Sequence, residues 1–273
     1  MFPDLVSHTA LLTAAARAME SRRPDRLFDD PPAATLAGVG GESLLAEVGP
    51  DTAVPSIAIR TRFYDGVIQA AVTRGVRQVV LLGAGLDTRA YRLGLPATVR
   101  WLEVDRGPVL EHKRRLLRGA PATVELHDVP GDACEPTTFD ALHASGLERA
   151  ERTLWLVEGL LCFLAPEEIR SLFARLIESS GAGSEVLFDV PNLACVNAQG
   201  AFARAGSALL KRGLQFGTDD PVGFAESLGL SATAVHEGHP LAHFGRRAEP
   251  PSTEVPPGSW TVYFVHSRLA ASA

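Results

Sequence analysis

In the stretch QVVLLGAGLDTRAYRL, residues 78–93, an apolar run stops at Gly83-Ala84-Gly85 and resumes as a charged, helix-compatible segment. A strand that runs into Gly-x-Gly and then a helix presents backbone N–H groups and a positive helix end at the carboxyl edge of a sheet. Glycine matters there because a side chain would collide with a ligand lying against the backbone. Asp105 follows 20 positions after Gly85 (105 minus 85), the spacing at which a carboxylate closing the next strand accepts hydrogen bonds from a ribose hydroxyl pair. Glu103 points to the same side of that strand and competes for the role; Asp105 is favoured because it ends the strand. These residues predict a seat for a nucleoside-bearing cofactor, with a tight, ligand-free turn as the bland alternative.

The turn argues against a dinucleotide. Thr88 stands where a third small residue would let helix and strand close beside a pyrophosphate, and the negative charge of Asp87 is unhelpful to a bridging phosphate. A phosphate-free cofactor with a sulfonium and an amino-acid tail suits the turn better, and S-adenosylmethionine is that molecule. Asp87 has a second reading, as a cap for the following helix. Glu158 ends the apolar run 154–157 and precedes Gly159, and an acid in that place is costly unless it meets water or a partner.

These residues need a frame. Residues 5–20 read as an amphipathic helix, with Leu5, Leu12, Ala15, Ala16 and Met19 near helical spacing. A connection through Pro24, Asp29, Asp30, Pro31 and Pro32 leads to a second helix around 36–48. A third helix, 56–73, carries Arg60, Arg62 and Asp65. Strand patterns at 78–83, 100–105, 123–126, 153–157 and 185–190 then alternate with helical patterns at 109–117, 138–144 and 166–179. That alternation predicts a parallel sheet covered by helices on both faces. Residues 221–228 read as a helix, and 232–236 and 259–267 as two strands that an intervening Pro- and Gly-rich loop can join as an antiparallel pair. The expected organisation is one domain: a helical cap and arginine helix over 1–75, a cofactor-binding core over 76–190, and substrate-side helices with the final strand pair over 191–273.

Bulk properties exclude several classes. At 273 residues with 46% apolar content the chain can bury a normal core. A formal net charge of -6 offers no global basic field for nucleic acid. The basic run His112-Lys113-Arg114-Arg115 reads as a solvated helix face. Cys134, Cys162 and Cys195 are odd in number and widely separated, which points to a reducing compartment rather than a disulfide framework or a zinc knuckle. No secretory leader is expected, and no stretch approaches the ~20 apolar residues of a membrane span. A cytoplasmic protein with no membrane partner follows. HEGH, residues 236–239, has its histidines three apart beside glycine and proline, not four apart on a helix, so no metal is expected.

The chain resembles the leucine carboxyl methyltransferase family, and within it the shorter bacterial members that methylate small molecules. LLGAGLDTRAYRL is similar to the family's glycine motif, HTALLTAAARAMESRRPDRLFDD to its N-terminal cap, IRTRFYDG to its arginine helix, LEVDRGPVLEHKRRLL to its second strand and helix, and VEGLLCFL to its fourth-strand motif. The resemblance covers nearly the whole chain. It implies a class I methyltransferase fold: a Rossmann-like, doubly wound sheet, mostly parallel with an antiparallel last strand, with S-adenosylmethionine as donor and methyl esters as typical products. It implies that Arg60 grips the cofactor's carboxylate, with Arg62 as the alternative two residues on. Gly83, Ala84 and Gly85 pass under the methionine portion and Asp105 holds the ribose. Asp132 and its neighbour Ala133 lie at the adenine side, with Asp128 as a rival, and Glu158 faces the cofactor. Two departures stand out: Phe163 occupies a place where tyrosine is common, and Ala133 one where a larger apolar residue is common. Arg60 and Arg62 also read as solvated helix charges, and Asp132 as a turn-former.

Methyl transfer from a sulfonium is an in-line displacement with a neutral leaving group, so alignment is the main task. A carboxylate acceptor is deprotonated at neutral pH and needs no general base. The sequence shows no G-x-S-x-G or Cys–His signature, which agrees with that acceptor. The expectation is an O-methyltransferase acting on the carboxylate of a small metabolite. The alternatives are a peptide C-terminal carboxylate, a phenol or hydroxyl acceptor, an NAD-dependent dehydrogenase, and a cofactor-binding protein without catalysis. Asn192, Phe202, Leu214, Gln215 and Phe216 are candidates for the acceptor pocket, and the apolar cap is compatible with a homodimer.

Overall fold

Three strands are buried along their whole length: β1 (Gln78–Leu82), β4 (Thr153–Val157) and β5 (Glu185–Pro191). Such strands read as near-continuous apolar runs because helices cover both faces of the sheet. In the computed structural model, which describes residues 5–198 and 213–269, they form the centre of a seven-stranded sheet. The remaining strands are β2 (Arg100–Asp105), β3 (Glu125–Pro130), β6 (Leu230–His236) and β7 (Val262–Leu269), in the order β3-β2-β1-β4-β5-β7-β6. β1 to β5 are parallel, and β7 runs antiparallel to both β5 and β6. The strand order reverses between β1 and β4, so a crevice opens at their carboxyl ends, where ligands of doubly wound sheets bind.

The period of two along each strand divides the core. Val80, Leu82, Trp155 and Phe188 pack on the side of α6 (Pro136–Ala144) and α7 (Pro166–Glu178). Val79, Leu81, Trp101 and Leu187 pack against Ile59, Tyr64 and Ile68 of α3 (Pro50–Thr73). Glu103 and Asp105 have the same parity along the strand as Trp101, and Asp189 the same as Leu187, so these acids share the α3 side. α7 shows why such a helix forms where it does. Pro166 opens it, Glu168 accepts a hydrogen bond from the N–H of Ala165 at 2.7 Å, and Ile169, Leu172, Phe173 and Leu176 bury one face.

The cap consists of α1 (Leu5–Ser21), α2 (Pro31–Val48) and α3. Its interface is built from small residues: a Cβ on Gly41 would meet the Leu11 carbonyl oxygen at 2.6 Å, so only glycine permits this approach of α2 to α1. Shorter helices α4 (Arg89–Arg92), α5 (Gly107–Leu116), α8 (Leu193–Asn197) and α9 (Pro221–Ser227) complete the described chain.

Several boundaries differ from the sequence reading. Pro31 and Pro32 open α2 instead of extending the connection, because proline suits the first helical turn. α2 is also interrupted at Gly38, whose φ of 53° and ψ of -171° break the helical path. α3 begins at Pro50, six residues earlier than its apolar pattern suggested, and continues through Pro55. β3 occupies 125–130 rather than 123–126. It is an edge strand in which only Val129 is buried, so its polar HDVP run carries little hydrophobic signal, and an edge tolerates its terminal proline. The last strand ends at Leu269, and the preceding proline-rich loop extends to Thr261. Among the described residues no helix is long and apolar enough to cross a membrane.

Candidate functional site

The glycine turn is fastened to the end of β2 by backbone hydrogen bonds. Gly83 and Ala84 both donate to the Val104 carbonyl at 2.9 Å. Gly85 donates to Asp105 Oδ2 at 2.7 Å, and Arg106 donates from its backbone to Asp105 Oδ1 at 2.7 Å. Gly83 and Gly85 have φ of 71° and 51°, the left-handed region that favours glycine. Gly85 is doubly constrained, because a Cβ there would stand 3.3 Å from that of Ala10 on α1. The cap helix thus lies over the turn. Asp105 is 8% exposed, and burial pushes its carboxyl up while the two N–H donors pull it back only partly. A carboxylate has about four lone-pair sites, so two bonds leave Asp105 with acceptor capacity.

At the carboxyl ends of β4 and β5 the aiming is done by charge. Arg60, from α3, stands with Nε 2.9 Å from Glu158 Oε1 and Nη1 3.2 Å from Asp189 Oδ2. Arg89, 1% exposed, donates from Nη1 to Glu158 Oε2 at 2.7 Å and to Asp87 Oδ2 at 2.5 Å, and from Nε to Asp65 Oδ1 at 2.8 Å. Its guanidinium lies 5.5 Å from the centre of the Tyr64 ring. Arg92 forks onto Asp65 at 2.7 and 2.9 Å and stands 3.6 Å from Asp30, which also receives Arg17 Nε at 2.8 Å and the Thr88 hydroxyl at 2.7 Å. A continuous ladder of ion pairs therefore runs from the cap to β5. Burial opposes the charge of Arg60, but Asp189 and Glu158 outweigh it and hold the guanidinium firmly protonated. Asp189 goes the other way: burial raises its carboxyl more than Arg60 and the Gly159 N–H, which donates at 2.5 Å, can lower it.

The structure brings Arg60, Gly83, Ala84, Gly85, Asp105 and Glu158 to this edge, and it gives the other candidates partners of their own. Arg62 turns away to place its guanidinium 5.6 Å from the centre of the Phe244 ring. Asp87 accepts from the backbone N–H of Arg89 at 2.7 Å, so it caps α4 as well as pairing with the Arg89 side chain. Burial would raise its carboxyl, and Arg89 more than reverses that. Asp132 is exposed and closes a turn by accepting from the Cys134 N–H at 2.9 Å, with buried Ala133 between them. Asp128 is engaged by Arg114. Glu103 pairs with Lys113 at 2.5 Å.

Of the candidate acceptor-side residues, Asn192 is committed to structure: it accepts from the Cys195 N–H and donates to the Ser259 carbonyl at 2.8 Å. The backbone N–H of Gln215 donates to the Cys162 carbonyl at 2.7 Å, which brings its segment beside the turn after β4, and Phe216 packs on Phe224. Phe202 lies outside the described residues. Sequence reasoning missed Asp189, Arg89 and Tyr64. Asp189 had a usable signal, since an acid inside the apolar run EVLFDVP demands a partner by the argument already applied to Glu158. Arg89 and Tyr64 had none, because only the fold shows which acids they meet.

A groove of about 270 Å³ between α1 and α2, lined by Ala15, Met19, Ala37 and Leu45 with Arg22 and Glu42, lies away from this edge. It presents none of the groups just described.

The model of leucine carboxyl methyltransferases matches residues 10–177. A candidate S-adenosyl-L-methionine-dependent methyltransferase of Frankia alni is 37% identical over 270 residues, covering 92% of each chain. One of Streptomyces avermitilis, similarly named, is 37% identical with 94% of each chain covered. A crystal structure of a DUF574 family protein from Streptomyces avermitilis superposes with a TM-score of 0.64 at 18% identity, covering 94% of this chain and 97% of that one. A candidate methyltransferase structure from Thermobifida fusca gives a TM-score of 0.56 at 19% identity, with 93% and 94% covered. Sheet order, reversed β7 and these likenesses define a class I methyltransferase that uses S-adenosyl-L-methionine. The chain belongs to the leucine carboxyl methyltransferase family.

Proposed function

We propose that the protein methylates a carboxylate of a small metabolite, giving a methyl ester, at the carboxyl edge of β1, β2, β4 and β5. One observation carries the acceptor class: among the described residues, the buried acids on the β4/β5 side are each engaged by arginine, and none stands free as a general base. The Cys162 thiol, pushed up to about 12 by burial, is no base either. An acceptor that arrives deprotonated suits such a site, and carboxylates do so at neutral pH. Hydroxyl acceptors would need a proton removed.

The residues present fit S-adenosylmethionine, which supplies an activated methyl on a cationic sulfur. At Gly83 an added Cβ would make ordinary contact with the Leu160 methyls at 3.7 and 3.8 Å, so the φ of 71° and not crowding by the chain reserves the position for glycine. Asp105 retains acceptor capacity for ribose hydroxyls. Arg60 Nε is buried and makes no hydrogen bond of proper geometry despite its short distance to Glu158, so it has a donor to offer the methionine carboxylate. Glu158 lies beside that donor. Asp132 and Ala133, on the loop after β3, are assigned to the adenine side, and Asp87 and Arg62 to support rather than contact. The work of these groups is orientation, which is what an in-line displacement requires.

The decisive experiment incubates the protein with S-adenosylmethionine and a panel of carboxylic acids, then treats products with mild alkali. Methyl esters release methanol and aryl ethers do not, so an alkali-stable product overturns the carboxylate assignment. Peptides with free and amidated termini in the same panel separate a small acceptor from a peptide one. Three free cysteines support a reducing, cytoplasmic setting.

A further inference from the structure

The ladder at the β4/β5 corner is not charge-balanced. Its carboxylates are Asp30, Asp65, Asp87, Glu158 and Asp189, and its guanidinium groups are Arg17, Arg60, Arg89 and Arg92, one fewer. All nine side chains are at most 20% exposed. An unbalanced buried charge is costly unless a counter-charge arrives. The position of the excess can be read from the contacts. Asp30 and Asp65 each meet two arginines, Glu158 meets Arg60 and Arg89, and Asp87 lies against Arg89 at 2.5 Å with a backbone donor besides. Asp189 likewise has a backbone donor and one arginine, but that arginine stands farther off, at 3.2 Å, and is shared with Glu158.

S-adenosylmethionine carries a sulfonium, an ammonium and a carboxylate, a net charge of one positive. Its demethylated product has lost the sulfonium and is net neutral. We propose that Asp189 is a specificity-determining residue for the charge of the cofactor: it supplies the excess negative charge that favours the sulfonium form, and it takes up a proton from solvent when the neutral product occupies the same seat. The proton returns to solvent when the next cationic cofactor takes the seat. This rests on the seating proposed above.

The groups around Asp189 agree with that role. From α3 come Arg60 and Tyr64, whose hydroxyl donates to Oδ1 at 3.4 Å. From the end of β4 come Glu158, a like charge, and the Gly159 N–H. The short helical turn 161–163 brings the Cys162 thiol, which burial keeps protonated, and β7 presents Phe264 at that register. Apart from Arg60, this surrounding set brings no cation to balance Asp189. Its carboxyl is raised by burial in the cofactor-free chain, so a cationic occupant lowers it and a neutral one leaves it raised.

The test is calorimetric titration of the full chain with two ligands, in buffers of different ionisation enthalpy. One is S-adenosylhomocysteine; the other is sinefungin, in which an amine-bearing carbon replaces the sulfonium and keeps the positive charge. Between about pH 5.5 and about pH 8, the ratio of the homocysteine Kd to the sinefungin Kd is expected to rise about threefold or more. The sign follows from linkage: a carboxyl raised in the product complex favours that complex at low pH, and the advantage is lost as pH rises through its bound value. Sinefungin binding releases protons relative to binding of the homocysteine analogue. In Asp189→Asn the ratio becomes independent of pH. Parallel pH profiles with equal proton uptake for both ligands overturn the proposal, and should the variant fail to fold, the wild-type comparison decides alone. Failure of both ligands to bind overturns the seating itself, which is a different result.

Discussion

Two corners of the same sheet edge are organised by different means. Where β1 meets β2, the carboxylate of Asp105 is aimed by the backbone N–H groups of Gly85 and Arg106, both within the chain that forms the corner. Where β4 meets β5, Glu158 and Asp189 are aimed by guanidinium groups reaching in from α3 and α4, and the aiming continues through Asp65, Arg92 and Asp30 into the cap. A backbone-set corner depends on local chain geometry and fails one contact at a time. A charge-set corner depends on every member of its ladder, and losing one takes a partner from several buried charges at once.

The sharpest way to break this contrast is to remove the central member of the ladder. Arg89→Ala leaves Asp87 with no arginine and takes one of two from Asp65 and Glu158, and is expected to cost about 3–5 kcal/mol of stability, a fall in Tm on the order of ten degrees. A loss below about 1 kcal/mol would show that the ladder is ornamental. At the other corner, Asp105→Ala is expected to leave folding nearly intact while weakening S-adenosylhomocysteine about tenfold to a hundredfold in titration, the worth of charge-assisted hydrogen bonds to a ribose. Unchanged affinity there would remove Asp105 from the site.

A smaller effect separates Asp105 from its neighbour. Burial raises the Glu103 carboxyl to about 7 even though Lys113 lies against it. A carboxyl raised on folding contributes stability that is fully present below its unfolded value of about 4.5 and is lost as pH rises to about 7. The loss is on the order of 1–2 kcal/mol once the lysine partner is discounted, and Glu103→Gln should flatten that part of the stability–pH curve. If the slope persists in the variant, another group is responsible. The smallest effect expected is that of Arg62→Ala, which should change cofactor affinity by less than about twofold because the side chain is occupied with Phe244. An affinity loss like that of Arg60→Ala would mean that the helix presents Arg62 to the ligand instead.

The contrast between the corners also explains what could be read in advance. The glycines and Asp105 form a local pattern: strand, tight turn, helix, strand and acid at a fixed spacing, each step set by backbone geometry. Sheet composition was equally visible, because β1, β4 and β5 are buried on both faces and announce themselves as apolar runs. β3 slipped because an edge strand needs little hydrophobicity, and the starts of α2 and α3 slipped because Pro31 and Pro50 look like breakers until they are seen to occupy first turns. The ladder was illegible for a different reason. Its partners lie far apart in the chain, Arg60 and Asp189 being 129 residues distant, and no periodicity records which arginine meets which acid.

The cap has one more tie whose length matters. Arg246, in the loop between the last two strands, donates to Glu20 Oε1 at 2.8 Å, a contact spanning 226 residues, while Arg17 of the same helix holds the Leu86 carbonyl at 2.6 Å. β7, the last strand to be made, is the one that joins β6 to β5. During synthesis the glycine turn, its strand and even the fifth strand emerge from the ribosome well before the residue that clasps the helix above them. The seat and the helix over it are therefore made early and clasped late, and newly made chains pass through a stage in which that helix is held through Asp30 and Leu86 but not yet by Arg246.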